Sequence, residues 1–138
     1  MPQATVAAMV VRTINGKESV LLTKRNVAPF KGLWCLPGGH IDLYETADIA
    51  VFREVKEETG IDYQGSFFGF FEEIFPELKI HNVALAFAGE GTGEPDPAAS
   101  PAEVAEMQWF PINEAAQLQL AFTHGEVVQA YAKKAGNR

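Results

Sequence analysis

Three glutamates, Glu54, Glu57 and Glu58, recur at spacings of three and four within the segment Thr46–Gly60. In a helix each residue advances about 100°, so their carboxylates fall inside an arc of roughly 100°. Ala47 and Ala50 lie along the same arc, Val51 and Val55 flank it, and Ile49 and Lys56 point to the opposite side. Hard oxygen ligands converging from adjacent turns suit a divalent cation such as Mg²⁺ or Mn²⁺. The plainer alternative is a solvated acidic face. Against it, like charges at these spacings destabilise a helix by roughly a few tenths of a kcal/mol per pair. The C-terminal turn is also where the helix dipole disfavours negative charge. A bound cation would relieve both.

The elements that must hold these residues are legible in outline. Thr46 is a fitting N-cap and Gly60 a fitting C′ glycine, which predicts a helix of about 13 residues between them. Two β-rich runs, Thr5–Arg12 and Ser19–Arg25, flank Asn15-Gly16, a strong hairpin signal. Pro29–Gly32 reads as a loop, Leu33–Leu36 as a short apolar run, and Pro37-Gly38-Gly39 as a breaker. Phe67–Phe71 and Ile80–Ala88 read as strands, Gly89–Pro101 as a loop, Met107–Phe110 as a closing strand and Phe122–Lys134 as a terminal helix. No internal repeat or low-complexity block interrupts them. The order predicts an α/β domain layered around a mixed sheet.

Composition sets the outer limits. With 138 residues the chain fits one domain, residues 1–138, and 47% apolar content argues against disorder. No apolar run reaches the roughly 18 residues of a membrane span. The lone cysteine, Cys35, excludes an intramolecular disulfide and suits a reducing, cytoplasmic setting. The net charge of −7 argues against non-specific nucleic-acid or anionic-membrane binding. That charge is unevenly spread: residues 1–41 are net +4, residues 42–126 net −14, and the last 12 residues +3. Gly39–Ile61 alone holds six carboxylates against Arg53 and Lys56.

Gly39, Glu45 and the run Arg53-Glu54-Val55-Lys56-Glu57-Glu58-Thr59-Gly60-Ile61 resemble the Nudix box of the MutT-like hydrolases in every defining position. Gly32-Leu33-Trp34 and Leu36-Pro37-Gly38-Gly39 resemble the usual approach to the box, and Trp109-Phe110-Pro111 the closing strand. The resemblance implies a Nudix-type α/β/α sandwich, a mixed β-sheet with the box helix on one face and a C-terminal helix on the other. It implies a hydrolase that cleaves a diphosphate linked to another group with Mg²⁺ or Mn²⁺. Glu54, Glu57 and Glu58 would hold the metal, helped by the Gly38 carbonyl. Arg53 and Glu45, with Gly39, would fasten the loop to the helix. A further glutamate completes the metal site or acts as base; Glu103 is the choice and Glu106 its competitor, while Glu57 is the other candidate base. Tyr44 departs from the family, which often has glycine before this glutamate.

The remaining polar and aromatic residues have competing readings. Lys24, Arg25 and Lys31 suit substrate phosphates, or are strand-end charges. Phe30, Trp34 and Phe75 suit base stacking, or belong to the core. His40 reads as a variable loop position. His81 and His124 lack zinc-like spacing and read as structural. Cys35, between Trp34 and Leu36, reads as a buried thiol, not a nucleophile. Ala121-Phe122-Thr123-His124 resembles the lead-in to the terminal helix of nucleotide-sugar and ADP-ribose members. The expected substrate is thus a nucleoside diphosphate joined to a sugar or similar group. The alternatives are a deoxy- or oxidised nucleoside triphosphate, or a catalytically silent nucleotide-sensing domain. Dimers are common in the family, so a homodimer is compatible; a membrane or duplex nucleic-acid partner is not expected.

Overall fold

The computed structural model describes residues 1–136. Strand β1 (Gln3–Ile14) turns through Asn15 and Gly16 into β2 (Lys17–Arg25). Both turn residues have positive φ, 51° and 79°, the hand that matches the twist of the flanking strands. The chain continues as β3 (Trp34–Cys35), β4 (Gly38–His40), α1 (Ala47–Thr59), β5 (Asp62–Phe75), β6 (Ile80–Thr92), β7 (Val104–Pro111), α2 (Ile112–Ala115) and α3 (His124–Gly136). The sheet runs β3-β2-β1-β6-β5, with β4 also paired to β1 and β7 to β2. The β1–β6 pairing is parallel, and the other pairings are antiparallel. Strand β1 serves several partners because its two halves are used separately: Thr5–Ala7 meets β4 and Val11–Ile14 meets β2.

Alternation along β1 builds two cores. Val6, Ala8 and Val10 pack with Ala50, Val51 and Val55 of α1. Ala7, Met9 and Val11 pack on the other face with Ala115 of α2 and Val127, Val128 and Tyr131 of α3. A strand covered on both faces needs apolar residues at every position, which explains the unbroken run Val6–Val11. The result is the expected mixed sheet with the acidic helix on one face and the terminal helix on the other.

Helix α1 has the predicted limits. Thr46 Oγ1 accepts the Ile49 N–H at 3.3 Å, and Gly60, at φ 80°, donates its N–H to the Lys56 carbonyl. Other expectations needed revision. Gly38 and Gly39, predicted as part of a breaker, and His40, predicted as a loop position, form β4, because glycine at 38 lets its backbone close on β1; a Cβ there would collide with the Val6 carbonyl. Strands β5 and β6 outrun Phe67–Phe71 and Ile80–Ala88, since each pairs with the other along its whole length. Helix α2 was not foreseen. Helix α3 starts at His124 instead of Phe122, whose φ is 54°. Among the described residues no helix is long and apolar enough to cross a membrane.

Gly60 is the residue on which the end of α1 turns. A Cβ there would take a left-handed conformation 3.1 Å from the Asp96 Cβ. Gly60→Ala should therefore cost about 1–2 kcal/mol, read as a lower urea midpoint at an unchanged m-value.

Candidate active site

The Arg53 guanidinium organises the acidic loop. Its Nε donates to Glu45 Oε2 at 2.7 Å and its Nη2 to Glu45 Oε1 at 2.8 Å, a paired contact that matches fork to carboxylate. Nη1 donates to Glu54 at 2.9 Å and to Glu57 at 3.3 Å. Nη2 also reaches the His40 carbonyl at 3.2 Å and lies 3.4 Å from Asp42. Glu45 in turn accepts the Asp42 N–H at 3.0 Å. The Arg53 bonds, with that N–H, hold the Glu45 carboxyl down at about 2. The same bonds, Glu45 first, hold the Arg53 proton more tightly than usual against the effect of burial.

With Arg53 fixed, α1 presents Glu54 and Glu58 to the paired glycines. Glu54 lies over Gly39, where a Cβ would stand 2.6 Å from its carboxyl carbon. Glu58 accepts the Gly38 N–H at 3.4 Å and is 8% exposed. Burial, and then a hydrogen bond with Glu54, push the Glu58 carboxyl well above its ordinary range, against the Gly38 N–H that favours its charged form. Two carboxylates drawn together out of water are costly unless a proton or a cation stands between them. Their donor set, hard oxygens only, fits a divalent ion. Glu57 stays apart, 59% exposed in its side chain. Among the described residues no group of three or more His, Cys, Asp or Glu stands ready-made around one point. The fit therefore rests on the Glu54–Glu58 pair beside Gly38.

A cleft opens over this pair. Its smaller compartment, about 270 Å³, is lined by Thr23, Glu54, Glu58, Glu103 and Arg25 among others. A larger one, about 410 Å³, shares Arg25, Cys35, Gly38, Gly39, His40 and Glu58 with it and extends to Glu73, Asn82, Phe122 and His124. Glu103 is thus brought to the carboxylate pair. Ser100 donates to it at 3.4 Å, and its carbonyl accepts the Asn26 N–H at 2.8 Å. Glu106, the competing glutamate, bonds Lys24 at 3.2 Å and lines neither compartment. Arg25 reaches both compartments: Nε donates to the Pro29 carbonyl at 2.7 Å and the guanidinium lies 4.9 Å from the Phe122 ring. Its Nη groups make no hydrogen bond to any described residue. Lys31 is exposed and lines neither compartment. Phe30 sits behind, edge-on to Phe75 and Phe122 at 5.4 and 5.0 Å. Trp34 packs on Phe110 instead of lining the cleft. Tyr44, at φ 68°, is 95% exposed and lines neither compartment.

Cys35, His124, Glu73 and Asn82 form a buried polar chain that the spacing of the sequence does not show. The Leu36 N–H donates to His124 Nδ1 at 3.0 Å. His124 Nε2 lies 3.5 Å from Glu73 Oε2, and Asn82 Nδ2 donates to Glu73 Oε1 at 3.1 Å. Burial resists a charge on His124, while its contacts with Cys35 and Glu73 favour one. The Leu36 N–H decides for the neutral ring, because a proton on Nδ1 would face another proton. The one signal available beforehand was a pair of acids, Glu72 and Glu73, set between the aromatic run Phe70-Phe71 and Ile74-Phe75.

A family model, the NUDIX domain, matches residues 3–131. The chain belongs to the NUDIX family. It is 34% identical over 121 residues to the ADP-ribose pyrophosphatase of Methanocaldococcus jannaschii, covering 87% of this chain and 69% of that one. It is 37% identical over 91 residues to the putative mutator protein MutT4 of Mycobacterium tuberculosis, of whose length it spans 34%. The crystal structure of a MutT NUDIX hydrolase from Burkholderia pseudomallei superposes with a TM-score of 0.79 at 30% identity, covering 93% of this chain and 95% of that one. The NUDIX domain of Shewanella oneidensis NrtR, solved with ADP ribose, shares the fold with a TM-score of 0.79 at 22% identity, over 98% and 89% of the two chains. NUDIX membership makes this a diphosphohydrolase. Members of the family generally require a divalent cation, which the Glu54–Glu58 pair fits.

Glu45 links the loop to acid stability. Its folded pKa lies below the unfolded value near 4.3, so its contribution is complete above that value and is lost as pH falls towards about 2. Glu45→Gln should therefore flatten the acid limb of stability between about pH 4 and 2. Unfolding midpoints measured across that range check it.

Proposed function

We propose that this NUDIX protein hydrolyses a nucleoside diphosphate linked to a further group, of ADP-ribose or nucleotide-sugar type. The products are a nucleoside monophosphate and a phosphorylated remainder. The observation that carries this reading is Arg25. It stands in both compartments of the cleft, with its Nη groups unclaimed, beside a carboxylate pair that by itself would repel a diphosphate. The relative named an ADP-ribose pyrophosphatase and the NUDIX fold bound to ADP ribose support the same substrate class.

The ion we propose is Mg²⁺ or Mn²⁺, held by Glu54 and Glu58 of α1, with Glu57 on the same helix, the Gly38 carbonyl in the loop before it and Glu103 in the compartment of the pair. When bound, such an ion supplies positive charge to the diphosphate oxygens and lowers the pKa of a water beside them. Arg25, in both compartments beside the pair, holds the phosphates. Its stacking on Phe122 and its bond to Pro29 restrict the guanidinium before substrate arrives, so less ordering is left for binding. Glu103, in the compartment of the pair, is the base we favour for taking a proton from the attacking water, and Glu57 is the other candidate. Arg53 does not face the diphosphate: its donors are spent on the loop, so its part is to hold Glu54 and Glu57 in place. The free thiol of Cys35 fits the cytoplasm, where we place the protein.

Two measurements test this reading. Glu58→Gln and Glu57→Gln should each lower kcat/KM by at least about 100-fold with the fold retained, and near-normal turnover in both would remove the metal assignment. Arg25→Ala should raise KM about tenfold or more, the worth of a charge-assisted hydrogen bond, in a screen of ADP-ribose, nucleotide sugars and deoxynucleoside triphosphates. Preference for the triphosphates would transfer the reading to a nucleotide pyrophosphohydrolase.

A further inference from the structure

The face of the sheet that α3 covers changes character where the helix stops. Under the helix it is apolar, with Ala7, Met9, Val11 and Ala86 in the core. Beyond His124, the first residue of α3, the same face carries one polar row across three strands. Gln3 of β1 pairs with Asn82 of β6, and Asn82 pairs with Glu73 of β5. Glu73 is 3% exposed and Asn82 7%, and both line the larger compartment. A buried acid and a buried amide on a sheet face are costly unless each polar atom has a partner.

Following the hydrogen bonds leaves one atom over. The Leu36 N–H is a fixed donor, so His124 Nδ1 accepts and Nε2 carries the proton towards Glu73 Oε2. A carboxylate accepts, so Asn82 must turn its NH₂ towards Glu73 Oε1. The amide cannot flip without setting oxygen against oxygen. Asn82 Oδ1 is therefore directed away from Glu73, and no described residue donates to it. Nor is it sealed: the one buried side-chain polar atom without a partner among the described residues is Thr123 Oγ1. Asn82 Oδ1 is a prealigned acceptor open to the cleft. Lys79 and His81 also line this end, but both are exposed and neither has an orientation fixed by a hydrogen bond.

Register gives the reach. Gly38 pairs with Ala7, and Asn82 with Gln3 on the opposite edge of β1. Strand rise and spacing put their Cα atoms about 16 Å apart. A phosphate seated by Gly38 is too far to touch Asn82, and a nucleoside attached to it is long enough to span the gap.

We propose that Asn82 determines specificity: its Oδ1 accepts an N–H from the exocyclic amino group of the substrate's base, adenine-like or cytosine-like. This rests on the reading of the cleft as a nucleoside diphosphate site. A keto group in place of the amino group sets one acceptor against another at a position that cannot turn. Glu73 and His124 are positioning residues, since they hold the amide without touching the base.

The test compares ADP-ribose with inosine diphosphate ribose, which differ by amino against keto on the base. Both kcat/KM with Mg²⁺ and binding by titration calorimetry are measured for the full chain. The native protein should prefer ADP-ribose at least about tenfold in both readouts. Asn82→Ala should bring the ratio near one. Asn82→Ser, whose hydroxyl can still donate to Glu73 but does not reach as far, keeps the test valid if the alanine variant does not fold. A native ratio near one, a preference for the inosine compound, or a preference surviving in the folded variants would overturn the proposal. Turnover of both compounds would then leave the hydrolase reading standing. Binding with the amino preference but no turnover would overturn the hydrolase reading and uphold Asn82. Binding of neither would overturn both.

Discussion

Arg53 leaves α1 sideways and ties the loop before the helix to the helix itself, through Glu45, Asp42 and the His40 carbonyl. The need for that tie comes from charge. Six carboxylates lie between Gly39 and Ile61, and several of them must approach one another to be of use. A planar, permanently charged fork can bind one carboxylate in register and still serve two others, which a lysine ammonium cannot. Remove the fork and Glu45, Glu54 and Glu57 lose a shared donor at once. The position of Glu54 over Gly39, the closeness of Gly39 and Gly38 to the helix, and the burial of Glu58 all presuppose that the loop is held there.

A second constraint is the length of the helices relative to the sheet. Strand β1 has two covered faces over Val6–Val11, and α3 begins only at His124. The uncovered end of the face becomes the cleft. One strand thus supplies core and cleft lining in sequence: Ala7 and Met9 under the helix, Thr5 and Gln3 beyond it. Phe122, with its left-handed backbone, turns the chain into α3 and at the same time gives Arg25 a ring to lie on. The active-site geometry and the end of the core are set by the same residues.

The parts legible in the sequence were those with local causes. Thr46 and Gly60 mark the helix because capping is decided within a few residues, and Asn15-Gly16 marks the hairpin for the same reason. The box carboxylates were legible because their spacing is helical. What stayed hidden depends on register between distant strands. Nothing near Asn82 says that it lies beside Glu73, and nothing near His124 says that it accepts from Leu36, 88 positions away. The short β4 was hidden by its glycines, which read as breakers locally but act as permission for close approach once β1 is alongside. His124 read as structural from spacing alone. Its bonds show that a structural histidine can still help fix the direction of the hydrogen bonds that end at the cleft.

Several hydrogen bonds fasten the loop after β6, and two of them bracket its middle. Asp96 donates its N–H to the Thr59 carbonyl at 2.8 Å, at the very end of α1, and the Glu103 carbonyl accepts from Asn26 at 2.8 Å. Between those pins the chain is a tether of set length, whose far end carries a carboxylate of the cleft. Lengthening it between Asp96 and Glu103 would add slack where both anchors survive, so the fold would tolerate an insertion that the chemistry would not. Residues such as Ala98 and Ala99, which line neither compartment, are in this sense a measuring rod between the end of a helix and a carboxylate of the cleft.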